Sequence, residues 1–84
     1  MSVTVRYWAA ARAAAGVAEE SYDAIDLASL LGAVRSRHAA DGLPAVLARC
    51  SYLIDEVSPG LRDHAAVTLH ADSVVEVLPP FAGG

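Results

Sequence analysis

Lysine is absent from the 84 residues, and cysteine, methionine, tryptophan and phenylalanine occur once each. Without lysine the chain offers no side-chain amine, so a carboxyl group joined to an amine would need that amine from another molecule or from the N-terminus. The lone Cys50 excludes an internal disulfide and a Cys-ligated zinc or iron–sulfur site, and it suits the reducing cytosol. No apolar run approaches the roughly 20 residues of a bilayer span, and the opening Met1-Ser-Val-Thr-Val-Arg6 alternates where a signal peptide is basic, then apolar. A cytoplasmic chain without a membrane partner is expected. Net charge is −4, and the six cations, Arg6, Arg12, Arg35, Arg37, Arg49 and Arg62, are scattered rather than gathered into a stripe. Nucleic acid is therefore an unsuitable partner, because clustered cations supply most of such affinity. No phosphate-binding glycine loop and no metal-ligand cluster stand in the sequence, so neither a bound cofactor nor a metal is expected.

What is present favours a fold. With 55% hydrophobic and 19% charged residues, the chain can bury a core, and its length allows one domain without a large enclosed cleft. Ser2 to Trp8 alternates with period two, setting Val3, Val5 and Tyr7 on one face and Thr4, Arg6 and Trp8 on the other. Ala9 to Ala15 suits a short helical turn ended by Gly16, and Glu19 to Ala24 returns as the second arm of a loose hairpin. Asp26 can cap a helix with Leu27, Leu30, Leu31 and Val34 at i, i+3, i+4 and i+7, ending near Asp41-Gly42. Pro44 opens a further short helical segment through about Arg49. Cys50 to Ile54 reads as a strand, Glu56 to Gly60 as a turn, and Ser73 to Leu78 as the last strand. The first and last strands are the most apolar and should pair at the sheet centre, the helix covering one face. This α+β order is the pattern of a β-grasp, a mixed sheet packed on one main helix. The domain spans 1–78 and leaves 79–84 as a tail.

That tail reads Pro79-Pro80-Phe81-Ala82-Gly83-Gly84. Proline fixes φ and lacks an N–H, so Pro79-Pro80 must end the ladder and send the chain outward in an extended form. Phe81 and Ala82 add an apolar grip, and Gly83-Gly84 leaves a terminus free of side chains that can thread a narrow pocket. Its carboxylate, activated as an acyl adenylate, becomes an electrophile that a sulfur nucleophile converts to a thiocarboxylate. With no phosphate loop here, the activating enzyme must be a partner.

Three segments carry a resemblance: Tyr7-Trp8-Ala-Ala-Ala-Arg12 with Gly16, the Leu27/Leu30/Leu31/Val34 helix, and Asp72-Ser-Val-Val-Glu-Val-Leu-Pro-Pro-Phe-Ala-Gly-Gly84. On these the chain resembles the MoaD/ThiS sulfur-carrier family, and within it the MoaD-type small subunits of molybdopterin synthase. The resemblance implies a ubiquitin-like β-grasp. It implies that Gly84 is adenylated, with ATP, by an E1-like adenylyltransferase of the MoeB type and bears sulfur as a thiocarboxylate. Gly83, Ala82, Phe81, Pro80 and Pro79 would insert into a MoaE-type large subunit, where sulfur passes to cyclic pyranopterin monophosphate. On that reading the chain is no enzyme by itself. Delivery of sulfur to thiamine thiazole or to cysteine synthesis stays open, as does a ubiquitin-like modifier or binding module, since the scaffold hosts all of these. Pro79-Pro80 is more typical of the molybdopterin branch. The sequence departs from the family at Ile54-Asp55-Glu56 and Ala71-Asp72-Ser73, where the family usually has an Asn or Gly turn and an Asp-Gly-Asp-Glu stretch. The Val57–Val67 segment is also longer than typical.

Other residues have plainer readings. Cys50 reads as a small buried hydrophobe rather than a persulfide carrier. His38, His64 and His70 lack metal-ligand spacing and read as exposed or loop residues. Tyr7 and Trp8 read as core or sheet-surface aromatics, and Arg12 equally as a partner contact or a surface cap. Adjacency places Asp55 and Glu56 on opposite sides of a strand, against an acid/base pair.

Overall fold

The alternation at the start of the chain forms β1 (Val3–Tyr7) in the computed structural model, which describes residues 1–80. Val3, Val5 and Tyr7 are buried to 1% exposure or less, with Thr4 and Arg6 on the other face. The alanine run forms α1 (Ala9–Ala15), closed by Gly16 at φ 77°, whose N–H donates to the Arg12 carbonyl. A residue in this left-handed conformation is cheapest as glycine. The hairpin then closes with β2 (Glu19–Tyr22). It is shorter than the expected Glu19–Ala24, because the chain leaves the sheet to bond elsewhere. The Ile25 carbonyl accepts from the Leu69 N–H, and the Leu27 N–H donates to the Val67 carbonyl.

Asp26 caps α2 (Leu27–Arg37), its Oδ1 accepting the Ser29 N–H at 2.7 Å. The expected stripe Leu27, Leu30, Leu31 and Val34 is the buried one. The helix stops at Arg37 rather than near Asp41-Gly42: the C-cap His38 leaves helical geometry at φ −109° and ψ 26°, and its ring lies between two carboxylates. A short α3 (Leu43–Leu47) comes next, with Pro44 in its first turn and Leu43 and Leu47 buried. Then come β3 (Ser51–Ile54), a 3-10 turn at His64–Ala66, and β4 (Val74–Leu78).

The sheet order is β2-β1-β4-β3. β1 pairs parallel to β4, with Val5 opposite Val75 and Tyr7 opposite Val77. Both flanking pairs, β1 with β2 and β3 with β4, are antiparallel. The first and last strands thus share the centre, as expected, because they supply the most apolar pairs, and Val3, Val5, Val75 and Val77 are all fully buried. α2 lays its leucines on the same core. The result is a β-grasp.

The two turns where the sequence departs from the resembled family pattern both hold residues at positive φ. Asp55, Glu56 and Asp72 adopt positive φ of 50°, 69° and 68°, the left-handed region in which asparagine and glycine sit more comfortably. Asp55 and Glu56 therefore lie in a turn after β3 and not on the strand where adjacency had placed them. The Asp55 carboxylate offsets its backbone strain locally, accepting the Val74 N–H at 2.8 Å and the Ser73 hydroxyl at 3.0 Å.

Candidate functional site: the root of the C-terminal tail

Because β1 and β4 run parallel, their C-terminal ends meet at one edge of the sheet. Ser51, which starts β3, lies opposite Leu78 at the same edge. Ladder pairing ends there, and the Trp8 N–H donates to the Val77 carbonyl at 3.2 Å. Pro79 is half-buried and Pro80 exposed, both outside any strand. Proline has no N–H to continue the ladder, so the departure point is set chemically. Phe81, Ala82, Gly83 and Gly84, the remaining tail residues singled out from the sequence, lie outside the described residues.

Around this root the outward sheet face carries charge-paired side chains. Trp8 is 44% exposed, and its indole N–H donates to Glu76 Oε2 at 3.0 Å. Arg6 pairs with Glu19 at 3.3 Å. Away from the root, toward the start of β4, a shallow depression of about 290 Å³ is lined by Arg6, Asp55, Glu56, Val74 and Glu76. Tyr7 is a core aromatic and Trp8 a sheet-surface one, as their alternation indicated. Arg12 is exposed and lines an open groove of about 520 Å³ beside α1. Among the described residues no group of three His, Cys, Asp or Glu side chains could hold a metal ion.

Cys50 is half-buried, and its thiol donates to the Val46 carbonyl at 3.2 Å. Burial raises its pKa, so it stays a thiol rather than the nucleophilic thiolate. His64 sits edge-on to Tyr52 in a surface turn, and His70 is exposed.

His38 lies in the turn that follows α2, as the loop reading had it, but it is buried rather than exposed, at 6%. Its Nε2 meets Glu20 Oε1 at 2.7 Å and its Nδ1 meets Asp41 Oδ2. Glu20 Oε1 also accepts the Tyr7 hydroxyl at 2.7 Å and the Tyr22 hydroxyl at 3.1 Å, while Arg37 approaches Glu20 Oε2 at 3.7 Å and stacks over Tyr22. Desolvation alone would raise the Glu20 pKa, but hydrogen bonds from His38, Tyr7 and Tyr22 outweigh it and lower it. Burial likewise pushes His38 down, and the bonds to Asp41 and Glu20 push it further up. The i, i+3 spacing of His38 and Asp41 was a readable signal. Glu20 was not, since only the fold brings β2 to the end of α2.

No protein-family model matches the chain. The fold is shared with subunit 1 of the Helicobacter pylori molybdopterin-converting factor, solved in complex with subunit 2 (TM-score 0.74, 24% identity, all of both chains). It is shared too with the small archaeal modifier protein 1 of Methanosarcina acetivorans (TM-score 0.83, 21% identity, 99% of this chain and 96% of that one). At those identities the likeness is one of fold alone. In sequence, the chain is 31% identical over 87 residues to the molybdopterin synthase sulfur carrier subunit of Mycosarcoma maydis, covering 99% of this chain and 94% of that protein. A likeness of that extent, running through a β-grasp whose last strand ends in a double proline, makes the chain a member of the molybdopterin synthase sulfur carrier subunit family.

Proposed function

We propose that the chain carries sulfur for molybdopterin synthesis on Gly84 and has no catalytic activity by itself. The observation that supports this most is the central β4, which is followed by Pro79-Pro80 beside the C-terminal end of β1. A rigid sheet aims the root, so the tail can reach a partner's active site without unfolding the domain. In the activating step a Gly84 carboxylate oxygen attacks the α-phosphorus of ATP held by an E1-like enzyme, forming the acyl adenylate and releasing pyrophosphate. A sulfide nucleophile then attacks the carbonyl carbon and AMP leaves, which yields the thiocarboxylate directly. The thiocarboxylate sulfur is next transferred to the cyclic pyranopterin precursor within a MoaE-type large subunit. Gly83 supplies slimness and Pro79, Pro80, Phe81 and Ala82 guide the insertion. The catalytic side chains belong to the partners. No helix is long and apolar enough to cross a membrane among the described residues, and a cytoplasmic location suits the thiol of Cys50.

Intact-mass spectrometry tests the reading after incubation with a MoeB-type enzyme, ATP and a sulfur source. The expected gain corresponds to one carboxylate oxygen replaced by sulfur. An unchanged mass, or an amide-linked partner in its place, sinks the carrier assignment in favour of a modifier. Capture of the loaded chain by the large subunit, with loss of the sulfur to the precursor, separates molybdopterin synthesis from thiazole or cysteine synthesis.

A further inference from the structure

We propose that His38 is a pH-sensitive latch that, as an imidazolium, ties β2 to the connector between α2 and α3 and releases that connector when the ring loses its proton. Ring Nε2 faces Glu20 Oε1 at 2.7 Å and ring Nδ1 faces Asp41 Oδ2. Ionised carboxylates only accept, so both nitrogens must donate, and only the doubly protonated ring can do so. With 7% of its side chain exposed, His38 has almost no water to substitute for either partner.

Charge balance agrees. The groups facing the ring are Glu20 from β2, Asp41 from the connector, Arg37 one residue earlier on α2 with its guanidinium on Glu20, and the Tyr7 and Tyr22 hydroxyls on Glu20 Oε1. Tyr7 also packs edge-on against the ring at 6.0 Å. Burial raises the pKa of both tyrosines, so they stay neutral donors. Two carboxylates therefore face two cations, and deprotonation of His38 leaves one carboxylate against a lone pair.

The two acids do not yield equally. Glu20 is 15% exposed and held by two hydroxyls and Arg37, whereas Asp41 is 38% exposed. Asp41 is the partner that swings out. Its Oδ1 accepts the Leu43 N–H at 3.1 Å, which ties the start of α3. Release of Asp41 frees residues 39–43 while the sheet keeps its ladder. The sign is set by a folded pKa above the unfolded one: the latch is fully closed below the ordinary histidine value of about 6.5 and is lost as pH rises through the folded value. Each unit of elevation changes the open-to-closed ratio tenfold.

Nitrogen-detected NMR of the histidine rings in the full chain tests this across the titration. The expected result is two ring protons on His38 at neutral pH and a midpoint above about 6.5. Across that midpoint the amide protection factor of Leu43, whose N–H Asp41 accepts, corrected for intrinsic exchange, should fall by about tenfold per unit of elevation, with those of β1 and β4 unchanged. Asp41→Asn should lower the midpoint and leave the connector open at neutral pH, with the sheet amides still protected. A single ring proton at neutral pH, a midpoint at or below the ordinary value, or protection of the Leu43 amide that ignores the titration would each overturn the proposal.

Discussion

Glu20 shows how a single side chain can be committed by its neighbours. It sits on a half-exposed edge strand, yet one of its oxygens takes three hydrogen bonds, from His38, Tyr7 and Tyr22. Glu20→Ala strips the buried Tyr7 hydroxyl of its acceptor, and an unsatisfied buried group costs about 1–3 kcal/mol. Urea denaturation of the variant should show a loss of that size. The pH profile has a definite sign. Because the folded Glu20 pKa lies below its ordinary value, its contribution is present above that ordinary value and is lost as pH falls through the folded one. The acid limb of the stability curve should therefore flatten in Glu20→Ala, and an unchanged limb would mean that Glu20 titrates alike in the folded and unfolded chain. Cys50 makes the opposite case. Its thiol is bonded to Val46 and kept protonated by burial, so Cys50→Ala should load sulfur on Gly84 at the unmodified rate, read by intact mass. A loss of loading would restore the persulfide role.

Among the elements, α2 separates local from tertiary stabilisation. Asp26 satisfies a helix-terminal N–H, and loss of an N-cap costs about 1 kcal/mol. Asp26→Ala should lower the melting temperature by about 4–8 °C, the shift expected per kcal/mol in a domain of this size. Leu30 is fully buried beneath the same helix, and Leu30→Ala should cost about 2–5 kcal/mol through lost transfer energy and the cavity left behind. Calorimetry of the pair should rank Leu30→Ala well below Asp26→Ala in melting temperature. The same helix shows where periodicity stops informing. Leu27, Leu30, Leu31 and Val34 were legible as its buried face because spacing of i, i+3, i+4 and i+7 leaves no other arrangement. Its C-terminal end was misplaced toward Gly42, because no glycine or proline marks the stop at Arg37, where the C-cap His38 leaves helical geometry.

At the scale of the whole molecule, the proposed function assigns the sulfur to Gly84 and the scaffold to the grasp domain. The core is assembled within residues 3–77, so deletion of Gly84 should abolish sulfur loading and leave thermal unfolding within about 0.5 kcal/mol of the parent, the usual range for changes away from the core. Paired loading assays and melting curves check both halves. A large drop in stability would mean that the terminus belongs to the folded domain. Opposing behaviour is expected of the centre, where Val5 and Val75 face each other in adjacent parallel strands. Damage there moves the root of the tail as well as the stability.

By itself the amino-acid order determined the faces of β1 and α2, the ladder stop at Pro79-Pro80, the lack of side-chain amines and the chemistry available at a glycine carboxylate. These depend on local periodicity and on properties of individual residue types, which travel with the chain in any conformation. The tertiary structure decided that Glu20, His38, Asp41, Tyr7 and Tyr22 form one cluster, and that Asp55, Glu56 and Asp72 carry turns at positive φ. Those outcomes depend on contacts between residues far apart in sequence and on the geometry needed to join paired strands. Apart from the i, i+3 spacing of His38 and Asp41, neither leaves a periodic trace that a one-dimensional reading can find.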